Sequence, residues 1–369
     1  MSIIKQRIKV FFIIPSLACG GMERVFSIIV NHIDVTRFEP VLVVLDDYDR
    51  FYPIDESRVR VINLKIPRVR STFFTLRRLI RAEQPDVVVS TLTHLNQFLS
   101  IFHHFISSNC RFIAHDSNVM TQMNRAESQT RIRDWLVRRF YPSFDLLICQ
   151  SKTIETDFIK NYGIASKKLC IIHNPVDIED VCKRQNEAVV PPRQAQFRLV
   201  SVGRLSPQKG LDRAFKALAN LKNFDFEYYL IGEGSERDAL EELANELGLA
   251  NRIKFLGLQN NPFGLLASAD LFLMPSYFEG FPNALLESGV VGTPVVAFDC
   301  WGVTAEIIKD GVNGFVIPEG EINGFGQAIL RGCMDAPFDR TFIKKDSVER
   351  YGTKTILTQF ETAFSLWHK

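Results

Sequence analysis

The sequence predicts an α/β protein made of two doubly wound domains, and three observations carry that prediction. Short apolar runs bounded by turns recur along all 369 residues, separated by segments of helical period. The runs are continuous rather than alternating, as strands buried on both faces of a parallel sheet must be. The rhythm pauses once, in the polar stretch VDIEDVCKRQNEAVVPPRQAQ with its Pro191-Pro192, and restarts with FRLVSVGRL. A chain of this length divides naturally into two domains, each able to bury a core. The expected layout is a first domain over 1–177, a linker over 178–196, a second domain over 197–350 and a helical end over 351–369 that packs back on the first. Two such domains in series set their strand ends on either side of a cleft, the expected place for a ligand.

Taken in order, the first domain has strand-like runs at 8–14, 40–45, 59–64, 86–90, 111–114, 146–149 and 169–172. Helical periods over 22–31, 72–83 and 152–161 lie between them. The opening MSIIKQRIKVFFIIPSL has the basic start and short apolar run of a signal peptide. That run is too short to span a bilayer and leads into a Gly-Gly turn and a helix pattern, so it reads as the first buried strand. In the second domain the strands are expected at 198–202, 228–231, 253–256, 271–274, 294–298 and 314–317, with helices over 211–221, 235–247 and 281–289. A last helix is expected over 354–367, and no segment is long enough for a membrane span.

Seven cysteines, odd in number and with no CxxC pair, read as reduced thiols of a cytoplasmic protein, neither a disulfide framework nor a zinc site. The formal net charge is +7 over residues 1–177 and −5 over 178–369. The first half therefore faces something anionic. Two stretches concentrate the arginines, PRVRSTFFTLRRLIR and RIRDWLVRRFY, each interleaved with aromatic or leucine residues at helical spacing. They read either as solvated helix faces or as contact with an anionic inner-membrane surface or a lipid-phosphate acceptor. No nucleic-acid-binding motif accompanies the charge.

The segment richest in chemistry is SYFEGFPNALLE, Ser276–Glu287. It sets Glu279 on a loop after an apolar run and Glu287 about a turn and a half into a helix. Pro282 fits the first helical position, where its fixed φ suits the helix and its missing N–H costs nothing. Backbone amides and the positive end of a helix dipole lie between the carboxylates, an anion site flanked by groups that bind hydroxyls. That is what a nucleotide-sugar donor requires. In VGRLSPQKGLD, Arg204 and Lys209 stand at another strand end, suited to a diphosphate that gains charge as it leaves. Gly20-Gly21, after the first strand, lets backbone approach a ligand, but the GxGxxG spacing of dinucleotide binders is missing. His115, past the strand in RFIAHDSN, could enter the cleft. Asp47-Tyr-Asp49 matches a metal-binding DxD but lies in a charged loop far from the donor-like segment. Gly232 and Gly234 mark an unspecific strand-to-helix turn. GxSxG, P-loop and HExxH signatures are all missing.

Together GGMERV, AHDSN, IIHNPVD, VGRLSPQKGLD, IGEGSER, EGFPNALLESGVVGTPVVAFD and GVNGFVIP resemble the retaining family 4 glycosyltransferases, of the type that builds bacterial surface polysaccharides. The likeness runs from the first strand to about Ile317, with the Glu-x7-Glu pair its most specific part. It implies the GT-B fold, two Rossmann-like domains facing across a cleft, with the acceptor domain first and the donor domain second. It implies that Glu279 binds hydroxyls of the donor sugar, Glu287 the ribose, and Arg204 and Lys209 the diphosphate. Gly280, Phe281 and the amides of Asn283, Ala284 and Leu285 would complete the donor site, with Gly20, Gly21 and His115 facing the sugar from the first domain. The chain departs from the family in reading ESGVVGTPVV for the frequent EAMACGTPVV, and Gly302-Val303-Thr304-Ala305-Glu306-Ile307 for a frequent GPxEI. The expected reaction moves a hexosyl or N-acetylhexosaminyl group from a UDP-sugar to a lipid-linked saccharide, with retention and without metal or other cofactor. The alternatives are a nucleotide-sugar 2-epimerase and a non-catalytic sugar-binding member of the same fold.

Overall fold

A computed structural model describes residues 7–107, 109–126, 130–335 and 338–366. The basic start 1–6 and Trp367, both part of the expectations above, lie outside the described residues. The chain divides into two units, Met1–Pro175 with Thr353–Lys369, and Val176–Gly352.

The first unit is built on β1 (Ile8–Ile14), β2 (Phe38–Val44), β3 (Arg60–Asn63), β4 (Val87–Thr91), β5 (Arg111–Asp116), β6 (Leu146–Cys149) and β7 (Leu169–Ile171). These form one parallel sheet in the order β3-β2-β1-β4-β5-β6-β7. Strands such as VFFII and VVVST are buried along their length, because helices cover both faces. The helix Thr353–Ser365 contributes Ile356, Leu357, Phe360, Ala363 and Phe364 to this core. Phe364 meets Phe12 and Phe38 edge-on at 5.8 and 6.2 Å, and Glu361 pairs with Arg37 at 3.0 Å. The last helix thus completes a core whose other parts lie more than 180 residues earlier.

The second unit carries β8 (Phe197–Val202), β9 (Phe226–Ile231), β10 (Ile253–Phe255), β11 (Leu271–Met274), β12 (Val295–Phe298) and β13 (Gly314–Ile317). They are again parallel, in the order β10-β9-β8-β11-β12-β13. The polar stretch expected as a linker is part of this unit and opens with a helix, Ile178–Glu187, whose N-cap Asp177 accepts from the Asp180 amide. Its later part is held by a buried ion pair. Arg198 Nε lies 2.6 Å from Glu227 Oε1, Arg198 Nη2 donates to the Pro191 carbonyl at 2.8 Å, and Glu227 Oε2 accepts the Gln194 amide at 3.2 Å. Periodicity missed this anchoring because it comes from long-range polar pairing rather than from an apolar face.

Candidate functional site

β8 and β11 are neighbours at the point where strand order reverses in the second sheet. Loops leaving the carboxyl ends of such a pair part in opposite directions and open a crevice for ligands. The β8 loop carries Arg204 and Lys209, and the β11 loop carries Ser276–Glu279. The loops are bound to each other. The Tyr277 amide donates to the Gln208 carbonyl at 2.9 Å, and Gln208 Nε2 donates to the Phe278 carbonyl at 2.9 Å. Lys209 Nζ lies 2.7 Å from Glu279 Oε1, which also accepts Ser276 Oγ at 2.6 Å. Glu279 is buried and Lys209 half-buried. A buried carboxylate paired and hydrogen-bonded in this way is fixed in direction, because turning it would strand a charge. Next in the chain, Gly210 has φ +56, and a Cβ there would meet the Pro275 carbonyl oxygen at 2.3 Å. Only glycine lets the two loops settle so closely.

Arg213, which sequence reasoning passed over, supports this arrangement from beneath. Its buried guanidinium lies between the rings of Tyr277 and Phe298, at 3.8 and 4.1 Å from their centroids. It donates to the Pro275 carbonyl from Nε at 3.0 Å and from Nη2 at 2.5 Å, and pairs with Glu319 at 2.6 Å. The available signal was an arginine on the buried face of the helix Leu211–Ala219, four residues after Lys209. Arg204, by contrast, is exposed, and its side chain has no partner among the described residues.

Glu287 is buried on the helix Asn283–Val290. Pro282 is the N-cap of that helix rather than its first residue. Its ψ of 111° keeps it extended, while its carbonyl accepts the Leu285 amide at 3.1 Å. Of the three amides expected to face an anion, Leu285 is thereby used within the helix. The Ala284 amide has no acceptor among the described residues. Gly280 and Phe281 are buried in the turn, with the Phe281 ring edge-on to Tyr351 at 5.9 Å.

Gly20, Gly21 and His115 belong to the first unit. Gly20 is the extended N-cap of the helix Gly21–His32, which follows β1 at that sheet's own reversal point. His115 corrects the expectation of an open imidazole. β5 runs on to Asp116, so His115 is inside the strand and fully buried. Its ring stacks on Phe26 at 6.0 Å and meets Phe360 edge-on at 5.5 Å. Burial drives its pKa down to about 3, so it is neutral. The next residue, Asp116, is also fully enclosed, with neither carboxylate oxygen hydrogen-bonded among the described residues. Burial pushes it up to about 7.

Two further motifs have structural explanations. Asp47 is paired with Arg50 at 2.5 Å, which occupies one carboxylate oxygen of the DxD-like triplet. Gly232 and Gly234 lie against the loop after β8, where Cβ atoms would meet the carbonyl oxygens of Gly203 and Leu205 at 1.9 and 2.1 Å. Among the described residues no three His, Cys, Asp or Glu side chains converge as a metal-binding set.

Residues 19–180 match the family model described as Glycosyltransferase Family 4, and residues 183–346 the one described as Glycosyl transferases group 1. The chain is 27% identical over 352 residues to the N-acetylgalactosamine-N,N'-diacetylbacillosaminyl-diphospho-undecaprenol 4-alpha-N-acetylgalactosaminyltransferase of Campylobacter jejuni, covering 92% of this chain and 93% of the other. It is 27% identical over 348 residues to the lipopolysaccharide core biosynthesis glycosyltransferase LpsE of Rhizobium meliloti, covering 92% of each. Among solved structures it is similar to Anabaena Alr3699/HepE in complex with UDP and glucose, with a TM-score of 0.77, 25% identity and coverage of 97% of this chain and 100% of that one.

Proposed function

The chain belongs to the family 4 glycosyltransferases of the GT-B fold, and from that premise we propose a retaining, metal-independent hexosyltransferase of bacterial surface-glycan synthesis. It moves a hexosyl or N-acetylhexosaminyl group from a UDP-sugar to a lipid-linked saccharide of the undecaprenyl-diphosphate type, in O-antigen, capsule or related synthesis. The carrying observation is the Lys209–Glu279 pair fixed at 2.7 Å at the reversal point of the second sheet, with Arg204 exposed on the same loop. Glu279 and Glu287 grip the sugar and the ribose. Arg204, Lys209 and the start of the helix Asn283–Val290 meet the charge that builds on the diphosphate, where a metal would otherwise serve. The anomeric carbon–phosphate oxygen bond breaks as the acceptor hydroxyl bonds on the same face, and its proton passes to the departing phosphate oxygen.

The Campylobacter relative is named for an alpha linkage and a diphospho-undecaprenol acceptor, and HepE was solved with UDP and glucose. The first supports this acceptor and stereochemistry, and the second this donor. Because the acceptor is a lipid, the work belongs at the cytoplasmic face of the inner membrane, with the arginine-rich stretches of the first unit toward its anionic surface. No described helix is long and apolar enough to cross a membrane. The test is UDP release with UDP-glucose, UDP-galactose, UDP-GlcNAc and UDP-GalNAc and a lipid-diphosphate disaccharide. Glu279→Ala should abolish release with its unfolding transition retained, and EDTA should leave the wild-type rate unchanged. Normal turnover by the variant would sink the role of Glu279, and loss of activity in EDTA that added Mg²⁺ or Mn²⁺ restores would sink metal independence. Conversion of the UDP-sugar to its 2-epimer without any acceptor, and without net UDP release, would favour the 2-epimerase.

A further inference from the structure

Trp301 holds a backbone conformation that a bulky side chain rarely adopts, φ +57, and its side chain is 60% exposed. Its turn is held from several directions. Asp299 Oδ1 accepts the Gly302 amide at 2.8 Å, and Thr304 Oγ1 accepts the Cys300 amide at 3.0 Å. Strained residues persist where their surroundings over-determine them, and they cluster at functional sites. A glycine at this position would relieve the strain, yet the chain keeps an exposed indole there.

Its surroundings point to a ligand. Cys300 Sγ donates to the Ser276 carbonyl at 3.2 Å, pinning the β12 turn to the β11 turn. Ser276 is the residue whose hydroxyl holds Glu279 Oε1 at 2.6 Å. Tyr277, 41% exposed and backed by the Arg213 guanidinium, follows on the same turn. Two exposed aromatic residues therefore follow directly on the two members of the Cys300–Ser276 contact, and Ser276 holds Glu279.

We propose that Trp301, with Tyr277 on the adjoining turn, is an aromatic platform for a pyranose ring. A sugar ring offers hydroxyls at its edge and weakly positive C–H groups on its faces. A carboxylate suits the former, and the negative face of an indole the latter. The assignment rests on the glycosyltransferase reading of this site and adds the group that fixes the plane of the sugar. The ring is that of the donor or that of the acceptor, two sources of the same chemistry.

The experiment uses the full chain with Trp135 and Trp367 replaced by phenylalanine, which leaves Trp301 as the sole indole of the three. Its fluorescence should shift on adding the active UDP-sugar or the lipid-linked disaccharide, and should not shift with UDP alone. A shift with only one of the two assigns the platform to the donor or to the acceptor. An equal shift with UDP alone, or none with any of them, overturns the proposal. In parallel, Trp301→Gly should unfold no earlier than wild type, while KM for the assigned sugar ligand rises about five- to tenfold, the size of one aromatic face contact. Trp301→Phe should recover most of that loss, and an unchanged KM in Trp301→Gly also overturns it. Glu279→Ala separates the two readings. Full turnover by that variant, together with the expected Trp301 signals, removes the role given to Glu279 and leaves the platform standing.

Discussion

At the scale of single residues, the site depends on groups that restrain one another. Glu279 owes its direction to Lys209 and Ser276, and the turn beneath it owes its position to Arg213. His115 and Asp116 show the opposite case, two titratable neighbours sealed in the first unit with their pKa values driven apart. From about 3 to 6.5 the unfolded chain binds a proton on His115 that the folded protein refuses, so this residue makes stability rise with pH. From 3.8 to about 7 the folded protein keeps a proton on Asp116 that the unfolded chain releases, so this one makes stability fall with pH. The two slopes oppose each other wherever both act. Asp116→Asn should remove the second, so that urea midpoints measured from pH 4.5 to 6.5 climb more steeply than in wild type. An equal slope in the two proteins would mean that Asp116 is already ionised over that range. The sequence shows His115 only as a residue near a strand end. Whether it is open or sealed depends on Phe360, which lies 245 residues later and packs against its ring.

At the scale of elements, parallel strands were legible because burial on both faces leaves continuous apolar runs, and β1, β4 and β11 stand within a residue of where those runs lie. The site segment was legible for a related reason, since a proline and two glutamates at fixed spacing stand out against an apolar helix. The short helices Phe263–Ser268 and Val303–Ile307 were not seen, because one turn or so of mostly buried residues has no polar face to set a period. Nor could periodicity show how closely the β8 and β11 loops approach, which depends on Gly210. Gly210→Ala brings a Cβ against the Pro275 carbonyl at a backbone angle that disfavours it. The cost should be about 2 kcal/mol of stability. Transfer should slow as well, because Lys209 is carried on the same turn, and urea unfolding with UDP-release kinetics measures both. A variant of wild-type stability and rate would show that the loops have room to part.

At the scale of the whole molecule, each unit has its own core, but only one is continuous in sequence. Val176–Gly352 closes on itself, and its two ends are paired where the Val176 amide donates to the Tyr351 carbonyl at 2.8 Å. Expressed alone, 176–352 should unfold cooperatively in urea, whereas 1–175 alone should not. A sharp transition for 1–175 would mean that the helix Thr353–Ser365 is dispensable. This interrupted connectivity sets an order of events on the ribosome. The first 175 residues emerge early but lack Phe360 and Phe364, which are made only after the whole second unit. The second unit can fold while the chain is still growing, and the first must wait as an open, apolar nascent layer until the helix Thr353–Ser365 emerges. A stop codon placed just before Phe360 would therefore leave the second unit intact and deprive the earliest-made unit of its closure.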